Sequence, residues 1–170
     1  MITAGAGENG GSGSVRIVEN VEQIAVIPGA RAVQSPVIPP HDGDFKVSGI
    51  WAITNDITLY GVWPHMHFRG KDMTYVVSYP DGTEETVLNV PNFDFNWQME
   101  YDFVEPLKVP AGSTIKTVGH FDNSVKNRYN PSPDQEVAWG EQSWDEMFFM
   151  FAKYSIDKNI LNENIKPPAN

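Results

Sequence analysis

Cysteine is absent from all 170 residues. That excludes disulfides, thiolate metal sites and a cysteine nucleophile. Histidine is scarce, with four in the chain, so imidazole chemistry rests on few side chains. Basic residues are outnumbered, 12 Lys and Arg against 22 Asp and Glu, and the net charge is −10. A surface this acidic repels phosphate backbones and anionic lipid, which argues against a nucleic-acid partner and against membrane-surface binding. No apolar run approaches the roughly 18 residues of a membrane helix, so membrane insertion is not expected. No basic stretch leads into an apolar one, so the chain as it stands is read as carrying no signal peptide. No segment keeps a 3.6-residue apolar period over roughly ten residues, and no long helix is expected.

What is present is strand and turn chemistry. Residues 1–14 are rich in Gly and Ser and read as a flexible segment. Residues 15–44 read as a lead-in: VRIVENVEQIAVI has strand character, and Pro28, Pro36, Pro39 and Pro40 then impose an extended, non-helical path. From Phe45 to Asp157 come FKVSGIWAI, DITLYGVW, MTYVVSYP, TVLNVP, WQMEYDF, STIKTVGHF and MFFMFAKYSI, all short and β-branched or aromatic. Pro80-Asp81-Gly82-Thr83 is a hairpin signal, and Val109-Pro110-Ala111-Gly112-Ser113 is a second turn. The expected fold is all-β: a single-domain antiparallel β-sandwich or barrel over 45–157, followed by a fraying tail at 158–170.

The histidines are His41, His65, His67 and His120. His65 and His67 stand at i and i+2 near the end of a strand, so both imidazoles point to one face and can share a metal ion. Two imidazoles need a third donor. His120, Asp122, Asp145, Glu146 and Met147 are the candidates. A thioether would favour copper, Cu(I) above all, and a carboxylate would favour Zn or Fe(II). Blander roles stand beside these. Met147 and Met150 would by default fill a core, Asp145-Glu146 would form a solvated turn, His41 would sit in a solvated loop, and His120 would hydrogen-bond a neighbouring loop.

Several blocks carry a resemblance. They are His65-Met66-His67-Phe68-Arg69-Gly70-Lys71-Asp72-Met73, Tyr79-Pro80-Asp81-Gly82, Phe93-Asp94-Phe95-Asn96-Trp97-Gln98, His120-Phe121-Asp122-Asn123-Ser124 and Trp139-Gly140-Glu141-Gln142-Ser143-Trp144-Asp145-Glu146-Met147. In this order, from about Pro36 to Ile156, the sequence resembles the C-terminal catalytic domain of copper type II, ascorbate-dependent monooxygenases. Peptidylglycine α-hydroxylating monooxygenase and dopamine β-monooxygenase belong to that family, and the likeness is nearest to its bacterial relatives. The resemblance implies a jelly-roll-like β-sandwich and a copper held by His65, His67 and Met147, where O₂ is activated for C–H hydroxylation. It leaves His120 as an extra ligand or an outer hydrogen-bond donor. It also implies a periplasmic or extracellular location.

Departures from the family pattern limit what carries over. The family's electron-storing copper sits on three histidines of a preceding domain, and this chain has neither a His-His pair nor room before Phe45 for that domain. An electron-donor domain or redox protein is therefore an expected partner. Trp63, Phe149 and Phe151 stand where the peptide-hydroxylating member has an arginine, an asparagine and a tyrosine lining its substrate site. A peptide substrate is not implied. A non-catalytic copper-binding or structural sandwich module remains the alternative expectation.

Overall fold

The computed structural model describes residues 31–32 and 37–156. The expected flexible segment at 1–14, the strands within 15–27 and the tail at 158–170 lie outside the described residues. Eight strands follow in order: β1 (Arg31–Ala32), β2 (Phe45–Ala52), β3 (Ile57–Met66), β4 (Gly70–Ser78), β5 (Glu84–Val90), β6 (Tyr101–Val109), β7 (Thr114–Phe121) and β8 (Phe148–Ile156). They form two antiparallel sheets, one ordered β1-β2-β7-β4-β5 and the other β6-β3-β8. The architecture is a single-domain β-sandwich with no helix among the described residues, as the strand pattern led one to expect. Accordingly, no described helix is long and apolar enough to cross a membrane.

Alternation builds the core. Met73, Tyr75 and Val77 of β4 and Ile115 and Phe121 of β7 face inward from the larger sheet. Phe148, Ala152 and Tyr154 of β8 meet them from the smaller one. Gly119 is the closest crossing point: a Cβ there would lie 2.7 Å from the Asp72 carbonyl oxygen and 2.7 Å from the Phe148 ring. The β4–β5 hairpin turns where Pro80-Asp81-Gly82-Thr83 predicts, with Gly82 at φ 87° and the Asp81 carboxylate accepting the Thr83 N–H.

Two strands depart from the pattern read in the sequence. β6 runs over Tyr101–Val109 and not over 97–103. It is an edge strand, where Pro106 is tolerated because no neighbour needs its missing N–H. Trp97 to Glu100 instead stay in the connection that precedes it. β3 continues through Pro64 to Met66, because β6 pairing ends at Val62 and that flank of Pro64 has no ladder partner.

The Pro-rich lead-in also joins the body. Ile38 is fully buried and exchanges both backbone hydrogen bonds with Val137.

One irregularity decides which way the histidines point. In β3 the register against both neighbours shifts between Leu59 and Gly61. Ile57 and Leu59 face the core before the shift, and Val62 and Met66 face it afterwards. A bulge inserts one residue and reverses the alternation. Trp63, His65 and His67 are thereby turned to the outer face of the smaller sheet.

Leu59 lies before the bulge, fully buried and roughly 20 Å along the strand from His65 at the usual rise per residue. Leu59→Ala is expected to lower stability by about 2–5 kcal/mol, read as an earlier denaturant midpoint with an unchanged slope. A loss below about 1 kcal/mol would contradict this packing.

Candidate metal centre

Both histidines are oriented from behind. Gln98 accepts a hydrogen bond through Oε1 from His65 Nδ1 at 2.7 Å. The amide cannot be reversed without loss, because Gln98 Nε2 already donates to the Phe95 carbonyl at 3.0 Å. His65 therefore carries its proton on Nδ1 and keeps the Nε2 lone pair. His67 Nδ1 lies 3.3 Å from the Asp145 carbonyl oxygen, an acceptor only, so its proton is on Nδ1 too. Partners of this kind fix the tautomer and aim of metal-binding imidazoles.

The rings stand edge to face with centroids 5.1 Å apart. Two imidazoles on one cation, each through one nitrogen at about 2.0 Å and tetrahedrally disposed, have centroids roughly 5 Å apart. The observed pair fits that arrangement. Burial is the main force pushing both histidines below the ordinary 6.5. Gln98 opposes it at His65, and the Asp145 and Gln142 carbonyls oppose it at His67. Both are held neutral, as ligation requires.

Among the described residues no group of three or more His, Cys, Asp or Glu comes together to hold a metal. His120 and Asp122 are engaged elsewhere, whereas the Asp145 carboxylate is near enough to His67 to oppose the lowering of its pKa. His120 projects from β7 on the outer face of the larger sheet, with Nδ1 2.7 Å from Asp72. The two sheets thus stand between it and the His65–His67 pair. Asp122 accepts the Ser124 N–H. His41 sits in an exposed loop, 3.2 Å from Asp134.

The methionines separate cleanly. Met150 faces inward, its sulfur taking the Thr117 hydroxyl. Met147 is half-buried and has the opposite alternation, which it shares with the outward Phe149 and Phe151. The β3–β8 register pairs His65 with Phe149 and Met66 with Phe148, and the ladder ends there, with His67 the residue after β3 and Met147 the residue before β8. A thioether with two imidazoles is a donor set that suits copper.

The solvated turn expected at Asp145-Glu146 is not what forms. Glu146 is 0% exposed. Its Oε2 accepts the His67 N–H at 2.9 Å and its Oε1 the Arg69 N–H at 2.7 Å. Arg69 is equally buried, 3.8 Å from that carboxylate. Arg69 Nε donates to Asn123 Oδ1, Nη1 to the Trp144 carbonyl and Nη2 to the Ser132 hydroxyl. Burial drives the Glu146 carboxyl up to about 7, against the Arg69, His67 and Met147 N–H groups and the Arg69 charge.

Sequence reasoning missed Arg69, Gln98 and Asn123 as well. The one available signal was the place of Arg69 two residues after the histidine pair.

Apo protein is expected to show both histidines as Nδ1–H tautomers in ring ¹⁵N spectra above pH 7. Gln98→Leu should erase that preference at His65 and spare His67. An Nε2–H tautomer at His65 in the unsubstituted chain would contradict the geometry.

Searches of known protein families and of curated sequences found no family model that matches this chain and no protein with significant similarity to it.

Proposed function

We propose that the chain is a copper-binding domain that serves O₂-dependent hydroxylation of a C–H bond, with His65, His67 and Met147 as the ligands. The observation that carries this reading is two imidazoles, each with Nδ1–H held by an acceptor and centroids 5.1 Å apart, at the end of β3 where its pairing with β8 also ends. Copper, when bound, supplies one-electron redox chemistry and O₂ activation. The protein's part is to keep two neutral nitrogens and one soft sulfur in place and leave a further position open. The resemblance set out above supports the same assignment.

Electron balance sets a further requirement. Placing one oxygen atom in a C–H bond and reducing the other to water takes two electrons from outside the substrate. His41 and His120 stand apart from the pair, so a second histidine-bound copper is not supplied by the described residues. A donor domain or redox protein completes the reaction in this reading.

Trp63, Phe149 and Phe151 beside His65 favour a second reading, a copper-binding module without hydroxylase activity. Their rings make a continuous aromatic surface, with centroids 5.3 Å apart for Trp63–Phe151 and 5.9 Å for Phe149–Phe151. No polar anchor for a peptide carboxylate stands among them. Copper- and ascorbate-dependent O₂ uptake coupled to product separates the two: uptake supports the hydroxylase, and stoichiometric copper without it supports the module.

Two outcomes test the ligand set. Met147→His should retain Cu(II) and reduce the preference for Cu(I), because imidazole is harder than thioether. An unchanged Cu(I)/Cu(II) affinity ratio would remove Met147 from the site. Copper should also be held at pH 7 and released as the pH falls below about 6, because protons then compete for the imidazoles. The sign follows from the lowered folded-state pKa values: neutral rings are favoured above 6.5, and protonation is delayed to lower pH. Retention independent of pH down to about 4.5 would contradict histidine ligation.

A further inference from the structure

The two segments that would hold copper are remote in sequence. His65 lies in β3 and His67 directly follows it, whereas Met147 directly precedes β8, and Glu146 ties the two stretches together. Its side chain collects the backbone N–H of His67 and of Arg69. Met147 is its chain neighbour. One acceptor therefore fixes the backbone of one proposed ligand from the residue adjoining another. On the same short stretch the Asp145 carbonyl takes the His67 ring proton. Residues 145–147 thus orient the ring of His67, hold its backbone and supply the sulfur.

We infer that Glu146, steadied by Arg69, is the positioning residue that presents His67 and Met147 to one metal ion, an inference that rests on the copper reading above. The chemistry of the cage explains why a carboxylate is required. Every group that reaches Glu146 is a donor: the backbone N–H groups of His67 and Arg69 and a guanidinium. A carboxylate can accept from all of them through two oxygens, whereas an amide must turn an NH₂ toward one of those N–H groups. Glu146→Gln keeps the volume and sets donor against donor beside a ligand.

Arg69 is needed because a buried carboxylate without a counter-charge is costly. Its guanidinium is anchored by Asn123, which is itself fully buried. Asn123 also donates to the Pro39 and Gln135 carbonyls. The ligand segments are thereby fastened to the long β7–β8 connection and to the lead-in before β2. Because the cage involves no metal, the ligands are set before copper arrives.

The test uses the 170-residue chain, with Cu(I) titrated against a chromophoric chelator and sulfur ligation read by X-ray absorption. Relative to the unsubstituted chain, Glu146→Gln is expected to weaken Cu(I) binding about 10–100-fold and diminish the copper–sulfur scattering. Leu59→Ala supplies a comparably destabilised control on the far side of the bulge, and it should retain both affinity and sulfur signal. Without metal, the His67 and Met147 amides should exchange with solvent faster in Glu146→Gln and at the normal rate in Leu59→Ala.

Unchanged affinity and sulfur scattering in Glu146→Gln would overturn the inference, as would equal losses in the Leu59→Ala control. If Glu146→Gln fails to fold, Arg69→Lys is judged by the same three measurements and the same criteria. An unsubstituted chain that binds no Cu(I) would overturn the copper reading and this inference together. Binding by the unsubstituted chain, with no difference in Glu146→Gln, would sink the inference alone.

Discussion

Arg69 and Glu146 meet where water reaches neither of them. Ionised groups lose several kcal/mol each on such burial, and the loss is offset only when every donor and acceptor is satisfied. Here the guanidinium finds an amide oxygen, a carbonyl and a hydroxyl, and the carboxylate finds two backbone N–H groups of the reversal between β3 and β4. Removing one partner of such a pair leaves a buried charge alone, at a cost of about 3–5 kcal/mol. The cage therefore constrains three stretches of chain at once: the reversal between β3 and β4, the irregular connection that follows β7, and the residues just before β8. The candidate metal centre lies at their junction.

A second constraint acts through the backbone of β3. The shift between Leu59 and Gly61 lets one strand contribute Ile57 and Leu59 to the core and still turn His65 and His67 outward. An unbroken alternation would have carried the imidazoles inward with Leu59, where no polar partner awaits them. The outer face is not simply a wet surface. Phe95 packs against His67, with ring centroids 5.9 Å apart, and Gln98 comes from the same connection. Burial, partial at His65 and nearly complete at His67, keeps the rings neutral.

Much of the fold was legible because strand residues and turn residues differ in kind. Val, Ile and Thr at alternate positions, broken by Pro80-Asp81-Gly82-Thr83 or Pro110-Ala111-Gly112, specify extended segments and their reversals through local sterics. The exception is instructive. Trp97-Gln98-Met99-Glu100 has strand-like composition but stays irregular. Gln98 is drawn to His65 there, and the edge position of β6 tolerates Pro106. A long-range hydrogen bond and the place of a strand within its sheet are not written in a window of seven residues.

The candidate site was legible only in part, for a related reason. An H-x-H pair on a strand shares a face by geometry alone, so His65 and His67 could be paired from spacing. The choice between Met147 and Met150 followed from resemblance, since both lie in one aromatic run. Only the folded structure shows Met150 turned to the Thr117 hydroxyl inside, with Met147 standing just before β8. Asp145-Glu146 reads as solvated because adjacent acids usually are, and what buries Glu146 is an arginine 77 residues earlier in the chain. The all-β character, the hairpins and the histidine pair were thus determined by the sequence itself, through preferences that act between near neighbours. The direction of that pair, the inward turn of Met150 and the burial of the Arg69–Glu146 cage were decided by tertiary structure, because each depends on contacts between segments that only folding brings together.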